Sequence, residues 1–172
     1  MRITFLSLFA FVLTGCAGYQ IGPVKPKFME GVTKIAIPTI KTEVLQPRVE
    51  SLVTNAIIHA FERDGTFQVT DEKDADATIQ CKMDALDRRP NRSVFGNDLL
   101  TAEYQLTMKI SYRITKRDGT VVENRTANGT TYFFASGSST LAADINQDEE
   151  QAIPIAASDM SGHLVSQVTE GW

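Results

Sequence analysis

Three arginines lie close together in one polar stretch, and they are the residues best suited to bind an anion. Arg88, Arg89 and Arg92 fall within residues 86–97, a segment broken by a proline and a glycine. A guanidinium presents paired N–H donors that match the geometry of phosphate and carboxylate oxygens. The segment interrupts an apolar alternation, so we expect a loop here. The alternative to an anion-binding loop is a solvated loop, the commoner state of a charge cluster.

A second cationic pair, Lys116 and Arg117, lies beside Asp118-Gly119. Asp-Gly between two alternating segments is typical of a tight hairpin turn. An antiparallel meander places this turn at the opposite end of the sheet from Arg88. We therefore expect two separate cationic groups, each a candidate contact for a ligand or a partner protein, and not one joint site.

The sequence contains no recognisable catalytic or metal-binding constellation. His59 and His163 are far apart on predicted helices, with no cysteine or carboxylate at ligand spacing. Cys81 falls on the inward side of an alternating strand and is expected to pack as a small hydrophobe. No nucleophile–base pair and no glycine-rich phosphate loop follow a strand. We predict that the protein is not an enzyme and holds neither a metal nor a cofactor.

The N-terminus carries a different chemistry, covalent attachment of lipid. Arg2 precedes an apolar run over residues 3–13, and two small residues then lead to Cys16. This order is typical of a secretory signal peptide, and the run is shorter than the about 20 residues that span a bilayer. Leu13-Thr14-Gly15-Cys16 resembles the lipobox of bacterial lipoproteins, in which the thiol carries diacylglycerol and the chain is cut before the cysteine. An ordinary signal peptide or a buried N-terminal strand is the alternative.

Composition and these motifs together predict how the chain is divided. Residues 1–15 are expected to be the signal peptide, 16–30 the lipidated Cys16 with a short linker, and 31–172 one domain. Lipidation leaves Cys81 without a disulfide partner, and acyl chains would anchor the mature protein to a membrane. A formal net charge of −4 does not indicate a nucleic-acid binder.

Hydrophobic periodicity predicts an α+β fold with the element order β-α-β-β-β-β-α. Apolar residues recur at helical spacing from Val49 to Phe61, and Gly65 is well placed to end that helix. Strands are expected over residues 32–38, 67–69, 77–85, 104–114 and 121–134. The predicted architecture is a two-layer sandwich: a mixed, mostly antiparallel sheet of about four strands with two amphipathic helices on one face.

The last helix and the end of the last strand each leave one detail open. Asp144 and Gln147 have the spacing of a capping box, and the helix should end near Glu170. Pro154 predicts either a kink or a start nearer Ala152, because proline removes a helical hydrogen bond. Phe133 and Phe134 are adjacent in a strand, so only one of the two can face the core.

Several of these segments together resemble the LPS-assembly lipoprotein family, LptE. The resemblance covers nearly the whole mature chain and rests on structural motifs, none of which is a catalytic signature. The matching stretches are Cys16-Ala17-Gly18-Tyr19, Ile35-Ala36-Ile37-Pro38, the helix from Val49 to Phe61 with Asp64-Gly65 after it, Ala75-Asp76, and the ending from Ile153-Pro154 to Gly171-Trp172.

The resemblance implies an outer-membrane lipoprotein that faces the periplasm. Members of the family sit as a plug inside a large β-barrel, LptD, and the pair delivers lipopolysaccharide to the outer leaflet. The partners expected on this basis are an LptD-like barrel and lipopolysaccharide. A lipid A phosphate or barrel carboxylates would then be the anions that the arginines contact.

Two other functions remain open from the residues alone. The first is a lipoprotein adaptor that activates a peptidoglycan synthase or pilots a secretin, although residues 17–30 are short for a linker across the periplasm. The second is a lipid-carrying module, which would need a sizeable apolar cavity. The regular apolar alternation favours a filled core instead.

Overall fold

A computed structural model describes residues 25–44, 46, 48–94, 97–134 and 142–171, without the side chains of residues 94, 97–100 and 142–144. Cys16, the predicted signal peptide and the side chain of Asp144 thus lie outside the described residues. A 3₁₀ turn at Lys27–Met29 precedes six strands and two helices: β1 (Lys34–Ala36), β2 (Lys41–Thr42), α1 (Val49–Asp64), β3 (Gln68–Val69), β4 (Ala77–Val94), β5 (Asn97–Lys116), β6 (Val121–Phe134) and α2 (Ala142–Thr169).

The strands form one mixed sheet in the order β3-β1-β4-β5-β6, with β2 also paired to β4. Strand β1 is parallel to β3 and β4, whereas β4, β5 and β6 form the antiparallel meander that was predicted. The α+β prediction is confirmed, with six strands in place of about four. The expected short strand at residues 67–69 is present as β3, and the strand that was not predicted is β2, because two residues are too short to show a periodicity.

Helix α1 has the predicted extent and the predicted stop. Its apolar stripe, which includes Val53, Ile57 and Phe61, is fully buried. Gly65 then adopts φ 73° and its N–H donates to the carbonyl of Phe61 at 3.0 Å. Glycine takes this left-handed conformation without a steric penalty, so the helix ends where glycine permits the chain to turn.

Helix α2 is a single 28-residue helix that runs through Pro154. The start nearer Ala152 was therefore a wrong prediction. A proline inside a helix costs about 3 kcal/mol, since it removes one hydrogen bond and crowds the preceding turn. Here Pro154 points to solvent while Ile153 and Ala157 on either side are buried in the core. Packing of the apolar stripe on both sides of the proline offsets its cost.

Side chains of α2 cover the free edge of β6. The carboxylate of Asp159 accepts a hydrogen bond from the N–H of Thr130 at 2.9 Å, and His163 Nδ1 lies 2.7 Å from the carbonyl of Asn128. At Gly129 the helix lies so close that a Cβ would overlap the backbone of Ala156 and Met160. This contact protects the middle of an exposed strand edge from pairing with other chains.

The largest departure from the predicted fold is at residues 86–97, where a loop was expected. Strands β4 and β5 instead remain paired as far as Val94 and Asn97. Register shifts at Asp84 and Asn91 change which face each following side chain occupies. The backbone ladder continues although the apolar alternation stops, because pairing with β5 needs only backbone groups.

The β4–β5 pair has two parts. The proximal sheet is residues 77–83 of β4 with 108–116 of β5, covered by the helices. The distal hairpin is residues 87–94 with 97–107. Since β1 and β2 reach only as far as Met83, β4 is an edge strand of the described sheet in the distal hairpin. An edge strand tolerates Pro90, which has no N–H to donate.

Candidate functional site

The distal hairpin carries the three predicted arginines, but it places them on two faces. Directly paired residues of an antiparallel ladder share a face. Arg88 is opposite Leu106, which is fully buried, so Arg88 lies on the helix-covered face. Arg89 is opposite Gln105 and lies on the open face, which no described helix covers. The expectation of one common arginine loop is therefore wrong.

Arg88 connects the distal hairpin to α2. Its Nη1 donates to a carboxylate oxygen of Glu149 and lies 3.4 Å from the side-chain oxygen of Asn146. The guanidinium also lies 5.6 Å from the ring centroid of Tyr104, which stacks on Phe133 at 5.5 Å. These contacts occupy the side chain, so Arg88 serves the fold and is not free to bind a ligand.

Arg92 has one nearby carboxylate, whereas Arg89 has none. The Nε of Arg92 lies 3.8 Å from Glu103, and Asn91 donates to the same carboxylate oxygen at 2.7 Å. Glu103 is only 8% exposed, while the side chain of Arg92 is 71% exposed. Among the described residues Arg89 makes no hydrogen bond or ion pair. Arg89 and Arg92 are thus both available to an anion.

Two exposed aromatic side chains lie beside these arginines. Tyr132 is 51% exposed and Phe134 is 63% exposed, whereas Phe133 is buried between them on the other face. The prediction that only one of the adjacent phenylalanines faces the core is confirmed. The pairing register aligns the open-face side chains in two rows across three strands, Arg89–Gln105–Tyr132 and Arg92–Glu103–Phe134.

These six residues form what we call the distal patch. Sequence reasoning missed Glu103, Gln105 and Tyr132, which enter the patch only through the register of β5 against β4 and β6. The one signal for them was the alternation of the last strand, which places Tyr132 on the same face as Phe134. The distal patch combines cations with exposed apolar area, a composition suited to recognition of another molecule.

Lys116 and Arg117 lie at the opposite end of the sheet and are engaged with the fold. Lys116 Nζ lies 3.3 Å from the carbonyl oxygen of Glu30, and Arg117 Nε donates to the carbonyl of Ala75 at 2.9 Å. Arg117 also lies 3.8 Å from Asp76. The two cations thereby fasten the N-terminal segment to the sheet, and they are not brought near the distal patch.

Asp76 organises the same end of the sheet. Its carboxylate accepts hydrogen bonds from the N–H and the hydroxyl of Thr33 and from the N–H of Lys34, at 2.9–3.0 Å. The bonds from Lys34 and Thr33 lower the pKa of Asp76 to about 2, because they stabilise its ionised form. This carboxylate is a structural link between the start of β1 and the start of β4.

The histidines and the cysteine take structural roles. His59 pairs with Glu62 on the exposed side of α1, and His163 contacts the edge of β6. Cys81 is buried, and desolvation raises the pKa of its thiol to about 12. Across the residues that the structure describes, no three histidine, cysteine or acidic side chains come together as a metal site. None of the described helices is long and apolar enough to cross a membrane.

Comparison with known proteins adds a family and a fold. The family model for LptE, described as lipopolysaccharide-assembly, matches residues 32–168. No curated protein sequence matches the chain. The fold is similar to a minor lipoprotein from Acinetobacter baumannii, with 18% identity, coverage of 81% of this chain and 92% of that one, and a TM-score of 0.51.

Two further solved structures share the fold at similar coverage. The PelC dodecamer from Paraburkholderia phytofirmans has 12% identity over 80% of this chain and 89% of that one, with a TM-score of 0.51. Lipoprotein B from Nitrosomonas europaea has 9% identity over 81% and 84%, also at 0.51. At these identities the likeness concerns the fold alone. The family model spans well over half of the chain, and this protein therefore belongs to the LptE family of lipopolysaccharide-assembly lipoproteins.

Proposed function

We propose that this protein is an outer-membrane lipoprotein that acts as the plug and assembly partner of an LptD-like β-barrel. In this role it aids insertion of lipopolysaccharide into the outer leaflet, from the periplasmic face, and it performs no catalysis itself. Membership of the family supports the assembly role. The distal patch and the open face around it support the more specific role of a plug.

The observation that carries the proposal is the chemical character of the open face. Both helices pack on the other side, and the open face of β4, β5 and β6 carries mainly hydroxyl, amide and charged side chains, with Val121 and the two distal aromatics as its exposed apolar residues. The lumen of a large transmembrane barrel is also polar. A polar sheet face can lie against such a wall without burying unpaired apolar surface, whereas a lipid carrier would need an apolar cavity.

The length of the distal hairpin also supports the role of a plug. At about 3.3 Å per residue, β4 from Asp87 to Val94 extends roughly 25 Å past the proximal sheet. A two-stranded hairpin on its own is marginally stable in water. Tyr132 and Phe134, which are exposed on the adjoining β6, would gain burial against a partner, so a barrel wall would stabilise the segment that the helices leave exposed.

The position of the lipid anchor fits a partner in the same membrane. Lys25, the first described residue, lies 4.8 Å from the ring of Phe67, at the end of the sheet remote from the distal hairpin. From Cys16 to Lys25 the chain can reach at most about 30 Å. A lipid on Cys16 would therefore keep the domain next to the membrane, with the distal hairpin directed away from the anchor.

Within this role we assign anion contact to Arg89 and Arg92. Lipid A phosphates and barrel carboxylates both present a pair of oxygen acceptors to a guanidinium. Arg88, Lys116 and Arg117, the other candidates from the sequence, are used by the fold and are left out of the assignment.

The proposal is tested by placing a photo-crosslinking amino acid at Tyr132 in the full-length protein, expressed in its own cells. We expect one adduct with a large outer-membrane barrel protein. The matched control is the same amino acid at Phe133, which is buried and should give no adduct. An adduct with a peptidoglycan synthase or a secretin instead would favour the adaptor function and contradict the plug.

A further inference from the structure

The open face carries a second feature, a cleft that lies outside the distal patch. After β1 the chain leaves the sheet at Pro38 and returns to β4 only where Lys41 pairs with Lys82. Between this segment and the face of the sheet lies a cleft of about 550 Å³, within the about 300–1,000 Å³ of small-molecule sites. We call it the proximal cleft.

A row of three polar side chains crosses the floor of the proximal cleft. Gln80 is paired with Arg113, and Arg113 is paired with Asn124, so the three lie side by side on adjacent strands. Neighbouring strands are about 4.8 Å apart, and the row therefore spans about 10 Å. Among the described residues none of these side chains makes a hydrogen bond or an ion pair. The guanidinium of Arg113 thus lies between the side-chain amides of Gln80 and Asn124.

The charges around the cleft favour an anionic ligand. Lys82 is neutralised by Glu43, whose carboxylate oxygen lies 2.9 Å from its Nζ. Lys41 and Arg113 both line the cleft, and neither has an acidic partner among the described residues. Glu72 is the one acidic residue that lines the cleft. Lys41 and Arg113 therefore remain as two positive charges that no described carboxylate neutralises directly.

We propose that the proximal cleft binds a phosphorylated monosaccharide unit. The amides of Gln80 and Asn124 can each donate to one sugar hydroxyl and accept from another. The guanidinium of Arg113 between them can hold phosphate oxygens through two parallel N–H donors, and Thr39 also lines the cleft. The row is as long as a sugar ring with one substituent.

This site is separate from the distal patch. Gln80 and Arg89 are nine residues apart on β4, which corresponds to roughly 30 Å along an extended strand. Binding in the proximal cleft can therefore be measured without a barrel and without lipopolysaccharide. Loss of one activity would leave the other in place.

The test uses the full mature protein in detergent micelles, labelled with ¹⁵N, and three probes. Glucose 6-phosphate should shift the amide resonances of Gln80, Arg113 and Asn124 and bind at least tenfold more tightly than glucose or inorganic phosphate. Equal affinity for inorganic phosphate would overturn the proposal in favour of a general anion site. Shifts confined to residues outside the cleft would overturn it as well.

A matched pair of variants separates the site from overall charge. Arg113→Gln should weaken glucose 6-phosphate binding at least tenfold, whereas Lys109→Gln should leave it unchanged. Both residues are exposed on the open face of β5, and only Arg113 lines the cleft. Because neither side chain has a partner among the described residues, both variants should fold. An equal loss in the two variants would reduce the effect to long-range charge and contradict the proposal.

Discussion

The proximal sheet and the distal hairpin belong to one continuous β4–β5 ladder, but different interactions hold them in place. In the proximal sheet Ile79, Met83, Ile110 and Ile114 are completely buried beneath the helices. Among the described side chains of the distal hairpin Leu106 alone is completely buried, and the contacts of the hairpin to its neighbours include ion pairs and the stacking of Tyr104 on Phe133. Burial of apolar side chains contributes about 1.5–3 kcal/mol each, far more than an exposed ion pair.

This difference indicates that the surface available to a partner lies at the distal hairpin and not at the proximal sheet. The proximal sheet is complete by itself, since its apolar face is filled by α1 and α2. The distal hairpin carries an unpaired arginine and adjoins the exposed aromatics of β6, and its outer strand edge in β4 has no neighbour among the described residues. A segment with these properties is stable enough to be ordered yet gains from a partner, which is the property that a plug requires.

The largest effect is expected from truncation of the proximal core. Ile110→Ala should lower the free energy of unfolding by about 2–5 kcal/mol, because it leaves a cavity in a fully buried site. Urea denaturation measures this change. Lys109→Ala, one residue away on the open face, should stay within about 0.5 kcal/mol. A change below 1 kcal/mol in Ile110→Ala would show that the proximal core is looser than described.

The next effect concerns the contact between α2 and β6. Gly129→Ala should destabilise by about 3 kcal/mol, because the added Cβ overlaps the helix backbone at Ala156 and Met160. Its control is Gly162→Ala within α2, where an added Cβ has open space. That change should stabilise by up to about 1 kcal/mol, as alanine favours a helix. Thermal unfolding of both variants distinguishes a close contact from a general sensitivity to added methyl groups.

A smaller effect is expected in the distal hairpin. Arg88→Ala should cost about 1 kcal/mol, because it breaks the partly exposed ion pair with Glu149. Amide hydrogen exchange in the distal hairpin should accelerate, whereas exchange in the proximal sheet should not change. Arg89→Ala, which removes a cation without a described partner, should leave both regions unaffected. If Arg88→Ala accelerated exchange equally in both regions, the two would form one cooperative unit.

The smallest change at neutral pH is expected for Asp76→Asn, since asparagine retains one acceptor oxygen. Its signature is a pH dependence. The folded pKa of Asp76 is about 2, below the ordinary value near 4, so its carboxylate stabilises the fold fully above about pH 4. That contribution is lost as the pH falls from about 4 towards 2. The difference in unfolding free energy between wild type and variant should therefore shrink over this range, and a constant difference would contradict the assignment.

The proximal sheet could be predicted from the sequence, and the distal hairpin could not. Burial on one face imposes an apolar residue at every second position, so Ile79, Ile110 and their neighbours are readable as strands. Distal side chains such as Arg89 and Asp87 are polar on the open face, and the bulges at Asp84 and Asn91 interrupt the period. A strand that is held mainly by backbone pairing with its neighbour shows no clear apolar period in its own sequence.

The same reason limits what could be predicted of the sites. Residue type alone marked Arg89 and Arg92 as anion-binding candidates. It did not show that strand alternation puts Arg88 on the opposite face, or that the bulge at Asn91 brings Arg92 to the face of Arg89. The row formed by Gln80, Arg113 and Asn124 joins residues from three strands, so only the pairing register reveals it. Local sequence predicts local structure, whereas a site built across strands depends on how the strands are aligned.

The most direct test of the account is hydrogen exchange of the lipoprotein alone and in the complex extracted with its partner by mild detergent. If the partner covers the distal hairpin, the amides of residues 87–94 and 97–107 should exchange at least tenfold more slowly in the complex. Exchange of the proximal core around Ile110 should not change. Unchanged exchange in the distal hairpin, with protection confined to the helices, would contradict the claim that the distal hairpin is the segment the partner covers.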